Sequence, residues 1–133
     1  MLYLFNKHYL DGGDMQLNER ETKILEWLDE KLITDIEIID ISELSVDMDK
    51  FIIGTALNER VCRAACDHLE EKCKESEYKV QGKEGYTAGK WILVDLADLI
   101  VHLFVKDERE TYNLEKLWAD GVLIRPEVLN DTE

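Results

Sequence analysis

Residues 91–104 read WILVDLADLIVHLF, and their pattern predicts two neighbouring strands of one sheet. It holds two apolar runs of strand length, Trp91 to Asp95 and Leu99 to Phe104, separated only by a short turn that ends at Asp98. Two strands joined by so short a turn pair in an antiparallel hairpin. We therefore expect a β-hairpin in the C-terminal half of the chain.

Further helices and strands are predicted around this hairpin. Apolar residues spaced three and four apart predict helices over residues 19–32, 59–75 and 109–118. Shorter apolar runs predict strands over residues 36–41, 51–55 and 78–81. The order α-β-β-α-β-β-β-α favours an α/β or α+β domain, with a single mixed five-stranded sheet flanked by helices.

Length and composition indicate one globular domain. The chain has 133 residues, 45% of them hydrophobic, and no apolar run approaches the ~20 residues of a membrane span. The turn-rich segment DGGD at residues 11–14 suggests that residues 1–14 are an N-terminal extension ahead of a start at Met15. We expect the domain itself to cover residues 15–120, and residues 121–133 to form a flexible acidic tail.

The charge balance restricts the partners. Sixteen basic and 30 acidic residues give a formal net charge of -14, which repels nucleic-acid phosphates and anionic membranes. The same charge raises the rate of encounter with a basic protein surface, although it could also serve solubility alone. We expect a protein partner, with no direct nucleic-acid contact as the main one and no membrane.

The cysteines predict a packing role and a reducing compartment. Cys62, Cys66 and Cys73 share the apolar stripe of one predicted helix, where they are poorly placed for disulfides or for a zinc site. The first five residues are too short for a signal-peptide core. We therefore expect a cytoplasmic protein.

Signals for catalysis or metal binding are weak. The pairs Asp47 with Asp49 and Asp95 with Asp98 could offer carboxylates to Mg²⁺, but such pairs are more often solvated loops or turn caps. Residues 53–55, Ile-Gly-Thr, precede a helix as in nucleotidyltransferases, yet the alternating acids expected on the following strand are missing. We expect no cofactor, no metal and no enzymatic activity.

Aromatic and acidic residues are concentrated in the last third of the chain. The aromatic side chains are those of Trp91, His102, Tyr112 and Trp118, and the acidic residues among them are Asp95, Asp98, Glu115 and Asp120. Large rings supply binding energy and charges supply orientation in an interface with a basic partner. The alternative is that the aromatic side chains belong to the core, and a structural role is favoured for His102.

Two strings of sequence resemble a known family. Residues 95–104 contain the pattern Asp-x-x-Asp-x-x-Val-His-x-Phe, and residues 109–118 read RETYNLEKLW. Shorter matches lie at Asp35-Ile36, at residues 49–53, at Glu84-Gly85 and at Gly89-Lys90-Trp91. From about residue 17 to residue 120 the chain resembles the ribosomal silencing factor family, also called RsfS or Iojap-like.

This resemblance implies a function and a fold. Members bind the large ribosomal subunit through its fourteenth protein, a basic protein on the intersubunit face. They thereby block joining with the small subunit and repress translation under nutrient limitation. The family's fold is nucleotidyltransferase-like without the catalytic acids. The resemblance implies contacts by Trp91, Asp95, Asp98, Tyr112, Leu114, Glu115 and Trp118, with His102 and Arg109 in supporting positions.

The chain departs from the family pattern at two customary glycines, which are replaced by Ala56 and Ala97. Both replacements remove easy access to positive φ, so the local turns are uncertain. Two other functions stay open at this stage. One is a homodimeric assembly or scaffold protein whose aromatic patch pairs with itself. The other is a nucleotidyltransferase-like enzyme that uses Asp47, Asp49 or Asp95 with Mg²⁺.

Overall fold

The structure, a computed structural model, describes residues 17–126. The extension predicted over residues 1–14 lies outside this range. In chain order the elements are α1 (Glu19–Glu30), β1 (Thr34–Asp40), β2 (Lys50–Ala56), α2 (Glu59–Glu75), β3 (Gly82–Glu84), β4 (Trp91–Asp95), β5 (Leu99–Val105), α3 (Lys106–Tyr112), α4 (Leu114–Leu117) and β6 (Val122–Ile124).

The strands form one mixed sheet in the order β3-β4-β5-β2-β1-β6. The predicted hairpin of β4 and β5 is confirmed, with Trp91 directly opposite Phe104. Strand β5 pairs in parallel with β2, where His102 lies opposite Ile53, and the other pairs are antiparallel. The predicted α+β class with a single mixed sheet is confirmed, but the described residues contain six strands instead of five.

One strand was predicted four residues too early. Residues 78–81 are not a strand, and the pairing with β4 runs over β3 instead. Tyr78 and Val80 are partly buried against the helical side of the core, and the Tyr78 amide donates to Cys73 O at the end of α2. Their apolar side chains therefore serve the helix layer, and the ladder begins only when the Gln81 amide donates to Asp95 O.

The sixth strand corrects the prediction that the chain is a flexible tail from residue 121. Strand β6 pairs antiparallel with the outer edge of β1, and its Ile124 is buried. Gly121 allows the chain to approach β1 closely enough for this pairing, because a Cβ at residue 121 would lie only 2.8 Å from Asp40 O. The short apolar run is thus stabilised by an edge that would otherwise be unpaired. Residues 127–133 lie outside the described range.

The predicted helix over residues 109–118 is two helices. Asn113 separates α3 from α4 with a left-handed φ of 46°, which asparagine tolerates better than most residues. Its side chain also accepts a hydrogen bond from the Lys116 amide and so caps α4. This break rotates the residues after Asn113 relative to those before it.

The core lies mainly between the sheet and the helices α1 and α2. Ile52, Val101 and Leu103 point from the sheet toward these two helices, whose apolar stripes are buried. The predicted core position of Cys62, Cys66 and Cys73 is confirmed, since all three are fully buried. Within residues 17–126 the opposite face of the sheet is covered at one end, by α3 and α4.

Candidate docking surface

The partly covered face of the sheet holds most of the predicted contact residues, and we call it the open face. Because side chains alternate along a strand, β4 directs Trp91 and Asp95 to this face, and β5 directs Ile100, His102 and Phe104 to it. Met48, Trp91, Ile100 and Trp118 are partly exposed and pack against a smaller core cluster on this side. The open face is therefore an apolar surface that the described part of the chain leaves partly uncovered.

Aromatic rings form a continuous layer on the open face. The ring of Trp91 stacks on Phe104 with centroids 4.8 Å apart, and Tyr112 packs on Trp91 at 4.6 Å. Trp118 packs edge-to-face on Phe51 at 5.4 Å. Tyr112 is 51% exposed. The structure thus brings together Trp91 of β4, Tyr112 of α3 and Trp118 after α4 at the edge of one aromatic cluster.

His102 lies beneath Trp91 and is buried. Its Nδ1 is 3.1 Å from the indole Nε1 of Trp91. Since an indole N–H can only donate, Nδ1 must accept, and the imidazole proton is carried by Nε2. Nε2 has no hydrogen-bond partner among the described residues. Burial lowers the pKa of His102 to about 4, against a smaller opposing effect of Glu115.

Arg109 fastens α3 to the sheet. Its Nη1 donates to the carbonyl oxygen of Asp35 at 2.6 Å and to Thr55 Oγ1 at 2.8 Å. The register of β1 shifts between Thr34 and Glu37, which leaves this carbonyl free to accept. Arg109 also forms ion pairs with Glu115 at 2.7 Å and Glu37 at 3.4 Å. A supporting position of Arg109 fits these contacts.

The contacts of Arg109 also involve a predicted contact residue, Glu115. Burial raises the pKa of Glu115, but hydrogen bonds from its own amide and from Arg109 outweigh burial, so the pKa is lowered overall. Glu115 is thus held as a carboxylate inside the protein, with a quarter of its side chain exposed.

The two hairpin acids are also engaged within the chain. Asp98 accepts two hydrogen bonds from Arg20 of α1, both 3.0 Å long. Asp95 accepts the Ala97 amide at 2.7 Å, and this contact supports Ala97 in the left-handed region at a φ of 80°. The turn therefore keeps a glycine-like conformation despite the alanine. The other replaced glycine, Ala56, is buried at the end of β2 without positive φ.

Two leucines of α4 do not share one face, as they would in a continuous helix over residues 109–118. Leu114, a predicted contact residue, is buried, whereas Leu117 is 71% exposed. Leu117 was not among the contact residues predicted from the sequence. The Tyr-Asn-Leu sequence at residues 112–114 was the available signal, since asparagine favours both the left-handed conformation and a helix N-cap.

Side chains that could hold a metal ion are not brought together in the described part of the chain. Within residues 17–126 no three His, Cys, Asp or Glu side chains are arranged to bind a metal ion. No described helix has the length and apolar character needed to cross a membrane. The lining of the open cleft beside α3 includes Asp35, Glu37, Arg109 and Glu115, and the carboxylates of Glu37 and Glu115 are ion-paired with Arg109.

The comparison with known proteins is decisive for the family. A family model described as "Ribosomal silencing factor during starvation" matches residues 14–133. The chain belongs to the ribosomal silencing factor family. A family member from Bacillus subtilis, named ribosomal silencing factor RsfS, is 38% identical over 95 residues, which are 71% of this chain and 80% of that protein. The resemblance derived from the sequence strings is therefore confirmed.

Two further similarities extend this result. A mouse protein named "Mitochondrial assembly of ribosomal large subunit protein 1" is 34% identical over 91 residues, covering 64% of this chain and 39% of that protein. A crystal structure of a protein from Chromobacterium violaceum superposes with a TM-score of 0.74 at 30% identity, covering 79% of this chain and 88% of that one. The fold is thus shared with a solved protein.

Proposed function

We propose that this protein represses translation by binding the large ribosomal subunit and blocking its joining with the small subunit. The partner we propose is the fourteenth large-subunit protein, a basic protein on the intersubunit face. Family membership supports a silencing role, and the name of the mouse relative links that protein to the large subunit. The role places the protein in the cytoplasm with the ribosomes. The single observation that carries the proposal is the partly uncovered aromatic layer of the open face.

The aromatic layer suits a specific interface. Tryptophan and tyrosine bury a large area with few rotatable bonds, and they dominate the binding energy of many interfaces. Trp91 packs against both Phe104 and Tyr112, so little side-chain entropy is left to lose on binding. We therefore assign the main anchors to Trp91 and Tyr112, with Trp118 and Leu117 at the edge.

Charge would then act mainly at long range. Asp95, Asp98 and Glu115 already have partners inside the chain, so their proposed contacts with Lys and Arg of the partner would have to share existing hydrogen bonds. The net charge of -14 still attracts a basic surface and is repelled by the rRNA around it. Binding should accordingly weaken as salt is added, and salt-independent binding would contradict this part of the proposal.

The block itself requires no chemical step. A typical specific interface covers about 800 Å² of each partner, and a 15.5 kDa protein placed on a joining surface excludes the other subunit by its volume. The proposal therefore needs neither a cofactor nor an active site.

The test is co-sedimentation with separated ribosomal subunits, together with an assay of subunit joining. We expect the wild type to bind the large subunit only and to reduce joining. Trp91→Ala and Tyr112→Ala should each weaken binding about 30-fold, which corresponds to the roughly 2 kcal/mol of an interface hot spot. The matched control is Tyr86→Ala, because Tyr86 packs on the other side of the sheet and bonds to Asp67.

Three outcomes would contradict the proposal. The first is that the wild type binds neither subunit. The second is that Tyr86→Ala weakens binding as much as Tyr112→Ala does. The third is that the large subunit is bound while joining proceeds at its normal rate. Sedimentation of the free protein tests the homodimer alternative. A dimer that is lost in Trp91→Ala would mean that the open face serves self-association.

A further inference from the structure

The indole N–H of Trp91 points into the protein and not toward a partner. We infer that His102 is a positioning residue that accepts this N–H, so that a docking partner meets Trp91 as an apolar ring without a hydrogen-bond donor. The statement about the partner rests on the proposed function of the open face. The statement about His102 concerns the free protein and can be tested separately.

The geometry follows from the hairpin register. Trp91 lies opposite Phe104 and Leu93 lies opposite His102, so His102 is the diagonal neighbour of Trp91 on the same face. The distance from Nε1 of Trp91 to Nδ1 of His102 is 3.1 Å. Phe104 and Tyr112 pack on the indole ring. One hydrogen bond and two ring contacts therefore restrain a side chain that is still partly exposed.

The chemistry of His102 supports this role. His102 is only 4% exposed, and its Nε2 has no hydrogen-bond partner within the described residues. A buried polar atom without a partner is unfavourable, so leucine or phenylalanine would fill this site at a lower free-energy cost. Neither of them could accept the hydrogen bond from Trp91, which the imidazole accepts. Because Nδ1 accepts, the uncompensated atom is the Nε2–H donor.

This arrangement restricts the chemistry of the partner. With its N–H occupied, Trp91 can offer only those parts of its ring faces and carbon edges that Phe104 and Tyr112 leave exposed. Those surfaces bind aliphatic side chains, the methylene stems of lysine and arginine, and cationic groups above the ring. They do not bind a backbone carbonyl or a carboxylate of the partner. The docking contact at Trp91 should therefore be apolar or cation–π in character.

The first experiment uses nitrogen-15 labelled free protein and NMR. In His102→Leu the indole proton of Trp91 should move upfield and exchange faster with water, because it has lost its acceptor. His102→Gln keeps an acceptor oxygen and should retain most of the protection. Dispersed methyl signals confirm that each variant is folded. An unchanged Trp91 indole signal in folded His102→Leu would overturn the positioning role.

The second experiment measures binding to purified large subunits. Trp91→Phe keeps an aromatic ring but has no N–H, and it should bind within about threefold of the wild type, whereas Trp91→Ala should lose about 30-fold. His102→Leu should weaken binding in the wild-type background and have little further effect beside Trp91→Phe, because it acts through the indole. Equal losses for Trp91→Phe and Trp91→Ala would overturn the apolar contact.

The two experiments separate two kinds of failure. If the wild type does not bind the large subunit, the proposed function and the inferred partner chemistry are both wrong. The NMR result still decides whether His102 positions Trp91. If the wild type binds and the NMR signals do not respond to His102, the function stands and the positioning role is wrong.

Discussion

Lowering the pH from 7 to 5 should destabilise the protein through His102. Burial lowers the pKa of this imidazole to about 4 in the folded protein, while the Glu115 carboxylate opposes the shift. In the unfolded chain a histidine titrates near pH 6.5. Between those two pKa values the unfolded state binds a proton that the folded state does not bind. The free energy of unfolding is therefore fully retained above about pH 6.5 and decreases as the pH falls toward 4.

The size of this effect follows from the two pKa values. The difference between 6.5 and about 4 corresponds to about 3 kcal/mol when it is fully developed. About 2 kcal/mol of this develops between pH 7 and pH 5, because the unfolded histidine is almost fully protonated at pH 5 and the folded one is still largely neutral. His102 is 4% exposed, so solvent screening reduces the effect little.

Urea unfolding at both pH values, followed by circular dichroism, measures this contribution. The wild type and His102→Gln have every other ionisable group in common, so the difference between the two proteins isolates His102. The wild type should lose about 2 kcal/mol more than His102→Gln between pH 7 and pH 5. Losses that agree within about 0.5 kcal/mol would refute the assignment of a buried neutral imidazole.

Three further predictions concern the supports of the open face and the core. Arg109→Met leaves the partly buried carboxylates of Glu37 and Glu115 without their main partner and should lower the free energy of unfolding by about 3 kcal/mol. The control is Arg60→Met at an exposed position, and an equal loss in both variants would contradict a stabilising role of the Arg109 ion pairs. Gly121→Ala should cost about 1–3 kcal/mol because its Cβ would contact β1, whereas Gly82→Ala, with open space around it, should be nearly neutral in the same urea titrations. Iodoacetamide at pH 8 should modify none of the cysteines in the folded protein and all of them in urea, because burial raises their pKa to about 11 or 12. Mass spectrometry measures the modification, and rapid modification of one cysteine in the folded protein would show that this thiol is accessible.

Local patterns predicted the elements whose signals are local. The helix over Glu59–Glu75 has the bounds expected from its apolar stripe, and α1 begins at Glu19 as predicted, after a capping box formed by Asn18 and Glu21. The hairpin followed from two apolar runs and a short turn. These features depend on contacts between residues close in sequence, which is why they could be derived without coordinates.

Sequence patterns misplaced or missed the elements that depend on partners distant in the chain. Strand β6 exists because the edge of β1 was available, and β3 starts where β4 offers its first acceptor. The helix break at Asn113 is encoded locally, but only its position above the sheet makes Leu114 a core residue and Leu117 an exposed one. Sheet pairing is a long-range interaction, and short apolar runs do not specify their partner.

Sequence patterns were sufficient to derive the family, the α+β class, the buried cysteine stripe and the concentration of aromatic and acidic residues in the last third of the chain. The partner of each aromatic and acidic residue became clear only in the folded protein. Arg20 of α1 binds Asp98, and Arg109 binds Glu115, so two predicted contact acids are engaged inside the protein. Trp91 and His102 are joined by a hydrogen bond across the hairpin. Composition reveals which charges and rings are present, but their availability to a partner depends on neighbours that only folding brings within a few ångströms.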